Sequence, residues 1–140
     1  MEQTIDRTGN VVVGTSTTSV TWDVTWNHYD TTNYILESIA LRFTMGTSSG
    51  YSVKVSENDS GWIQRLNAMD SAANGETVTL ALSAGSWENK TGGTLRAFFY
   101  KRGSNQAIYT SVQFVLTYRA KATASTITVV RTMAGDPQTV

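Results

Sequence analysis

The sequence predicts an all-β fold, an antiparallel β-sandwich of jelly-roll type with seven to nine strands. Three observations carry that expectation. Hydrophobic residues recur with a period of two along most of the chain. The runs are separated by short clusters of turn-forming Gly, Asn, Asp and Ser. Ser and Thr make up about a quarter of the 140 residues, beside one Pro and 16% charged residues. That usage suits pleated, half-buried surfaces better than helices.

The runs follow in order. Val20, Trp22, Val24 and Trp26 share one face, with Thr21, Asp23 and Thr25 opposite. Ile35, Ile39, Leu41, Phe43 and Met45 form the next face against Ser38, Ala40, Arg42 and Thr44. Glu37 interrupts it, which places Glu37 near a sheet end or against an Arg. Tyr51, Val53 and Val55 alternate with Ser52, Lys54 and Ser56; Val78, Leu80 and Leu82 alternate with Thr77, Thr79 and Ala81. Leu95, Ala97 and Phe99 alternate with Arg96, Phe98 and Tyr100, so both faces of that strand are partly apolar. The longest run puts Ile108, Val112, Phe114, Leu116 and Tyr118 together. Trp62, Ile63, Leu66 and Met69 fit a strand followed by a loop, with a helix after a Ser60 cap as the alternative. The inward set is expected to include Trp22, Val24, Ile39, Leu41, Phe43, Val53, Leu80, Leu95, Phe114 and Leu116.

Punctuation suggests which strands are neighbours. Gly46-Thr47-Ser48-Ser49-Gly50, Asn58-Asp59-Ser60-Gly61 and Arg102-Gly103-Ser104-Asn105 are too short for a parallel crossover, so each reads as a hairpin between antiparallel partners. Asn74-Gly75 precedes a further strand. Residues 1–119 read as the sandwich core. Residues 120–140 read as a C-terminal arm, with small residues first and a short strand whose Thr126, Ile127, Val129 and Val130 are able to complete a sheet edge, in this molecule or a neighbour.

Composition narrows the function. A 140-residue chain fits one domain. A domain of that size buries roughly 68–70% of its unfolded surface without a metal or disulfide. There is no Cys, and the 11 basic residues equal the 11 acidic ones, which points away from a nucleic-acid partner. Met1 to Arg7 has no basic and apolar signal-peptide pattern, and no run is long enough to cross a bilayer as a helix. No membrane partner and no cofactor are expected.

Motifs for catalysis are weak. Gly46-Thr47-Ser48-Ser49-Gly50 has the letters of a nucleophile elbow, but that elbow joins a strand to a helix, and here strand patterns flank it. His28 is the only histidine, too little for a zinc site of its own. Glu57, Asp59, Glu76 and Glu88 are loop carboxylates of the kind a glycosidase pairs across a cleft. Asn58-Asp59-Ser60 lacks the ligand density of a calcium loop. No catalytic or metal residue is therefore assigned, and the chain is expected not to be an enzyme.

Aromatic residues give the stronger signal. Trp62 and Trp87 adjoin turns, and Trp87 is followed by Glu88 and Asn89. An exposed Trp beside such groups stacks on a sugar ring while its neighbours bond the hydroxyls. The same residue can anchor a protein interface, and the plainer reading is that each Trp plugs an end of the sandwich.

A Cys-free, Thr- and Ser-rich, Gly-punctuated β-domain of this size resembles the small structural β-sandwich proteins of tailed-bacteriophage virions: capsid decoration, head-fibre and tail-associated domains. The resemblance implies a non-enzymatic virion protein, made in the host cytoplasm, that docks to copies of itself and to other virion proteins. The alternative is a carbohydrate-binding module or lectin that takes surface glycans through Trp62, Trp87, Glu88 and Asn89.

Overall fold

The computed structural model describes residues 1–83 and 86–122, which form nine strands and no helix. The strands are β1 (Glu2–Asp6), β2 (Val11–Val13), β3 (Val20–Asn27), β4 (Tyr34–Met45), β5 (Tyr51–Asn58), β6 (Trp62–Asp70), β7 (Thr77–Ala81), β8 (Gly92–Tyr100) and β9 (Ala107–Ala120). All pairings among them are antiparallel. One sheet runs β1-β9-β4-β7, with β2 also on β9; the other runs β3-β8-β5-β6. Because β1 and β2 occupy successive stretches of the same edge of β9, eight strand positions result, wound as a jelly roll.

This winding corrects the expected neighbours. Of the three short links, only residues 59–61 close a hairpin, between β5 and β6. Residues 46–50 carry the chain from β4 in one sheet to β5 in the other, and residues 101–106 carry it back from β8 to β9. A link can be short because it spans the gap between sheets, not only because it turns back on its own sheet.

The two inner faces supply the core. Val24, Ile39, Leu41, Phe43, Val53, Leu95, Phe114 and Leu116 are buried as expected, while Trp22 and Leu80 are partly buried against them. Trp22 stacks on Phe114 across the sheets at 5.2 Å between ring centroids. Phe43, Tyr51, Phe99 and Tyr109 form a second bridge, with Phe99 and Tyr109 centroids 5.0 Å apart.

Two bulges change which residues face inward. In β4 the register slips between Leu36 and Ser38, so Leu36 is fully buried in place of the expected Ile35. Glu37 sits at the irregularity and pairs with Arg119 at 3.6 Å, one of the two placements anticipated for it. In β9 the slip lies at Ser111, which takes a left-handed φ of 49°. Ala107 and Tyr109 therefore turn inward ahead of it, and Ile108 does not. The segment from Trp62 stays extended through Asp70, longer than the expected strand, with no helix.

One end of the sandwich is closed by ions. Glu57, expected in a loop, is the inward residue at the end of β5 and is 2% exposed. An extra residue in β6 lets Arg65 reach it, with Nε and Nη2 at 3.0 and 2.9 Å from Oε1. Lys90 Nζ lies 2.9 Å from Oε2 and 3.2 Å from Asp59. A buried carboxylate with two cations is tolerated because each oxygen has its own partner. Glu57 is thus a structural member of this end and is unavailable as a glycosidase carboxylate.

Residues 123–140 lie outside the described residues, and with them Thr126, Ile127, Val129 and Val130.

Truncating Phe114, which is fully buried at the Trp22 stack, to Ala is expected to cost about 3–5 kcal/mol, read from urea denaturation. A second expectation concerns alkaline pH. The Tyr109 hydroxyl donates to the Tyr100 carbonyl at 2.6 Å and accepts from the Ser52 amide at 3.0 Å. Burial pushes its pKa up to about 12 from 10.0. A phenol raised in the fold gives stability that is complete below its unfolded value and lost as pH climbs toward the folded one. Lys90 acts in the same direction, raised from 10.5 chiefly by its bond to Glu57. Stability should therefore fall above pH 10 and continue falling to about 12. Tyr109→Phe should flatten that fall while costing roughly 1–3 kcal/mol at neutral pH through the unpaired backbone groups it leaves.

Candidate functional site

The outward side of β3-β8-β5-β6 concentrates groups suited to binding. Cross-strand partners share a face, so the register fixes the rows. One row reads Thr21, Phe98, Lys54, Asn67; the next reads Asp23, Arg96, Ser56, Gln64. Tyr100 and Met69 flank Ser52 at one end, and Trp62 lies beside Asn58 at the other. From Asn58 to Ser52 is six steps along β5, about 20 Å at ~3.3 Å per residue.

Three aromatic side chains stand on this solvent side. Phe98 and Tyr100 lie nearly parallel, 19° apart with centroids at 6.5 Å. Trp62 is 43% exposed, and its ring covers the Arg96 guanidinium at 4.3 Å. Arg96 is fixed from its other neighbour: Nε and Nη2 donate to the two carboxylate oxygens of Asp23 at 2.8 and 3.0 Å. The bond from Arg96 holds the Asp23 carboxyl below its usual range and raises Arg96 in turn. Lys54 Nζ lies 5.5 Å from the Tyr100 ring centre. Neutral hydrogen-bonding groups, Ser52, Ser56, Asn58, Gln64 and Asn67, fill the spaces between rings.

The sequence groups four residues as a sugar site, and the structure separates them. Trp62 belongs to the sheet face just described. Trp87 is 4% exposed, inside the core cluster, with Lys90 Nζ 5.7 Å from its ring centre. It plugs the end of the sandwich, which corrects the reading of Trp87 as a stacking platform. Glu88 and Asn89 stay exposed in the loop before β8, where Glu88 pairs with Arg119 at 3.4 Å. They line a separate hollow of about 200 Å³ with His28 and Lys121. His28 is engaged locally, its Nδ1 accepting the Asp30 amide at 3.0 Å and its ring in a T-shaped contact with Tyr118. Among the described residues no three acidic or His side chains gather as a metal site.

Phe98 and Tyr100 are absent from the residues expected on sequence grounds. A signal for them exists all the same. β8 alternates apolar residues on one side with Phe98 and Tyr100 on the other, a pattern that an inner strand with a plain solvent face does not need.

No protein-family model matches the sequence, and no curated protein matches it. Similar solved structures include a chain described as "CBM4 structure and function", with TM-score 0.38 and 12% identity over 80% of this chain and 82% of that one. Another is described as "Structure of a family two carbohydrate esterase from Cellvibrio japonicus", with TM-score 0.36 and 12% identity over 86% of this chain and 34% of that one.

Proposed function

We propose that this domain is a non-catalytic binding module that holds a polysaccharide chain on the outer face of β3-β8-β5-β6. The observation that carries this reading is the placement of Phe98, Tyr100 and Trp62 on one solvent-facing surface, interleaved with neutral amides and hydroxyls. An aromatic face packs against the C–H side of a sugar ring, while amides and hydroxyls exchange hydrogen bonds with its hydroxyl groups. The length of the face suits an extended chain more than a single sugar, and a shallow open surface lets such a chain run past both ends. This reading keeps Trp62 from the sequence expectation and replaces Trp87, Glu88 and Asn89 with Phe98 and Tyr100.

Affinity electrophoresis against soluble plant and bacterial polysaccharides tests it. Retardation in at least one gel is expected, with Phe98→Ala, Tyr100→Ala or Trp62→Ala each weakening binding by about 1–2 kcal/mol, roughly tenfold. Unchanged melting temperatures would show that the variants fold. A triple variant retarded as strongly as the wild type would sink the proposal.

A second reading, assembly with copies of itself and other virion proteins, is favoured by one feature. Strand β6 is a sheet edge and exposes Trp62, Ile63 and Met69 at 43%, 41% and 64%. Apolar edges of this kind pair with other chains unless something blocks them. On that reading the full chain sediments as an oligomer, and Ile63→Lys with Met69→Lys converts it to monomer. A wild-type protein that stays monomeric at high concentration removes self-assembly through this edge.

A further inference from the structure

We propose that the chain bound on this face is an acidic polysaccharide, one that carries carboxylate or sulfate groups, and that Lys54 and Arg102 recognise those groups. The inference rests on the polysaccharide reading above and adds the class of ligand. The face has one acidic side chain in its rows, Asp23, and both of its oxygens are occupied by Arg96. Arg96 is thereby neutralised. Lys54 is different. It stands in the middle of the face, between Phe98 and Asn67, and its Nζ lies over the Tyr100 ring at 5.5 Å.

Arg102 lies two residues beyond Tyr100, in the loop after β8. It lines a hollow of about 410 Å³ with Ser49, Met69 and Asn105, at the end of the face marked by Met69 and Tyr100. Asp70, the acid beside this end, uses Oδ1 to accept the Ser71 amide at 2.7 Å. Among the described residues, neither Lys54 nor Arg102 has a carboxylate within ion-pair distance. Lys121 and Lys101, by contrast, are bonded to backbone carbonyls.

Among the described residues, a chain with zero formal net charge thus has two cations outside any ion pair here, Lys54 on the aromatic face and Arg102 at its end. An ammonium next to a ring whose face packs on sugar is positioned for an anionic substituent at the edge of that sugar. A neutral glycan would leave Lys54 without a partner; an acidic one pairs it and keeps the aromatic contact.

The test uses the full chain and four soluble polymers: polygalacturonate for carboxylates, dextran sulfate for sulfates, neutral dextran, and polyglutamate as a polyanion without sugar. Calorimetric titration is expected to show a sugar polyanion bound more tightly than dextran and polyglutamate, with the preference shrinking as salt rises. Which of the two polyanions wins identifies the substituent. Lys54→Gln should reduce the preference for the acidic over the neutral chain roughly five- to tenfold, and Lys54→Arg should retain it. Equal affinity for neutral and acidic chains, unaltered by Lys54→Gln, overturns this inference and leaves the polysaccharide reading standing. Polyglutamate bound as tightly as the sugar polyanions also overturns it, because charge alone would then suffice. No binding to any of the sugar polymers, nor to any polysaccharide in the electrophoretic panel, removes both.

Discussion

The phase of the β4–β9 pair is the constraint on which the rest of the sandwich depends. These are the longest strands and the centre of their sheet, so whichever side of them is apolar decides where the second sheet must lie. A strict period of two cannot serve both halves of either strand. The Ser111 bulge in β9 and the irregularity at Glu37 in β4 each insert one residue and reset the alternation. Tyr109 and Phe114, on opposite sides of the bulge, consequently point the same way and reach the other sheet at two separate places. Left-handed backbone at a non-glycine residue is unfavourable by itself. It persists here because the large buried side chains on either side fix it.

The second sheet behaves differently. Neither β5 nor β8 is interrupted where they pair, so their outward residues stay in straight rows. The irregularity of this sheet lies at its edge, in β6, where it turns Arg65 toward the buried Glu57 and leaves Gln64 and Trp62 facing solvent. A single extra residue thus separates two roles: ions close the end of the core, and the outer surface keeps its order. Tyr109 couples the layers from below by bonding both Ser52 and Tyr100, which are partners across β5 and β8.

Much of this architecture is legible from alternation alone. The run from Ile39 to Met45 in β4 reveals its inner face because burial on one side is strong and the period is short; Ile39, Leu41, Phe43 and Met45 are all buried. Alternation fails where a bulge resets it, which is why it points Ile35 and Ile108 inward where the fold buries Leu36 and Tyr109. β1 is hard to read because an edge strand with Ile5 as its lone apolar residue has almost no pattern. Trp87 shows the limit for site residues. A Trp beside Glu and Asn in a loop looks the same in sequence whether it stands in water or folds over the core. Only the packing of that loop on the end of the sandwich, with Lys90 anchored on Glu57, decides between them. Phe98 is readable in principle, since a second apolar face on a strand calls for something to cover it.

The Arg96 fork beneath Trp62 has a consequence for how any ligand meets this surface. A free indole on an edge strand samples several rotamers, and a partner that stacks on it must first freeze it. Here the guanidinium is held by two bonds to Asp23, and the indole packs over it at 4.3 Å. The ring is therefore oriented before anything arrives. Immobilising a side chain on binding costs about 0.5–1.5 kcal/mol, and that cost is already met during folding. In kinetic terms, a partner that stacks on Trp62 would find a prepared landing place, because the salt bridge to Asp23 holds the guanidinium on which the indole rests.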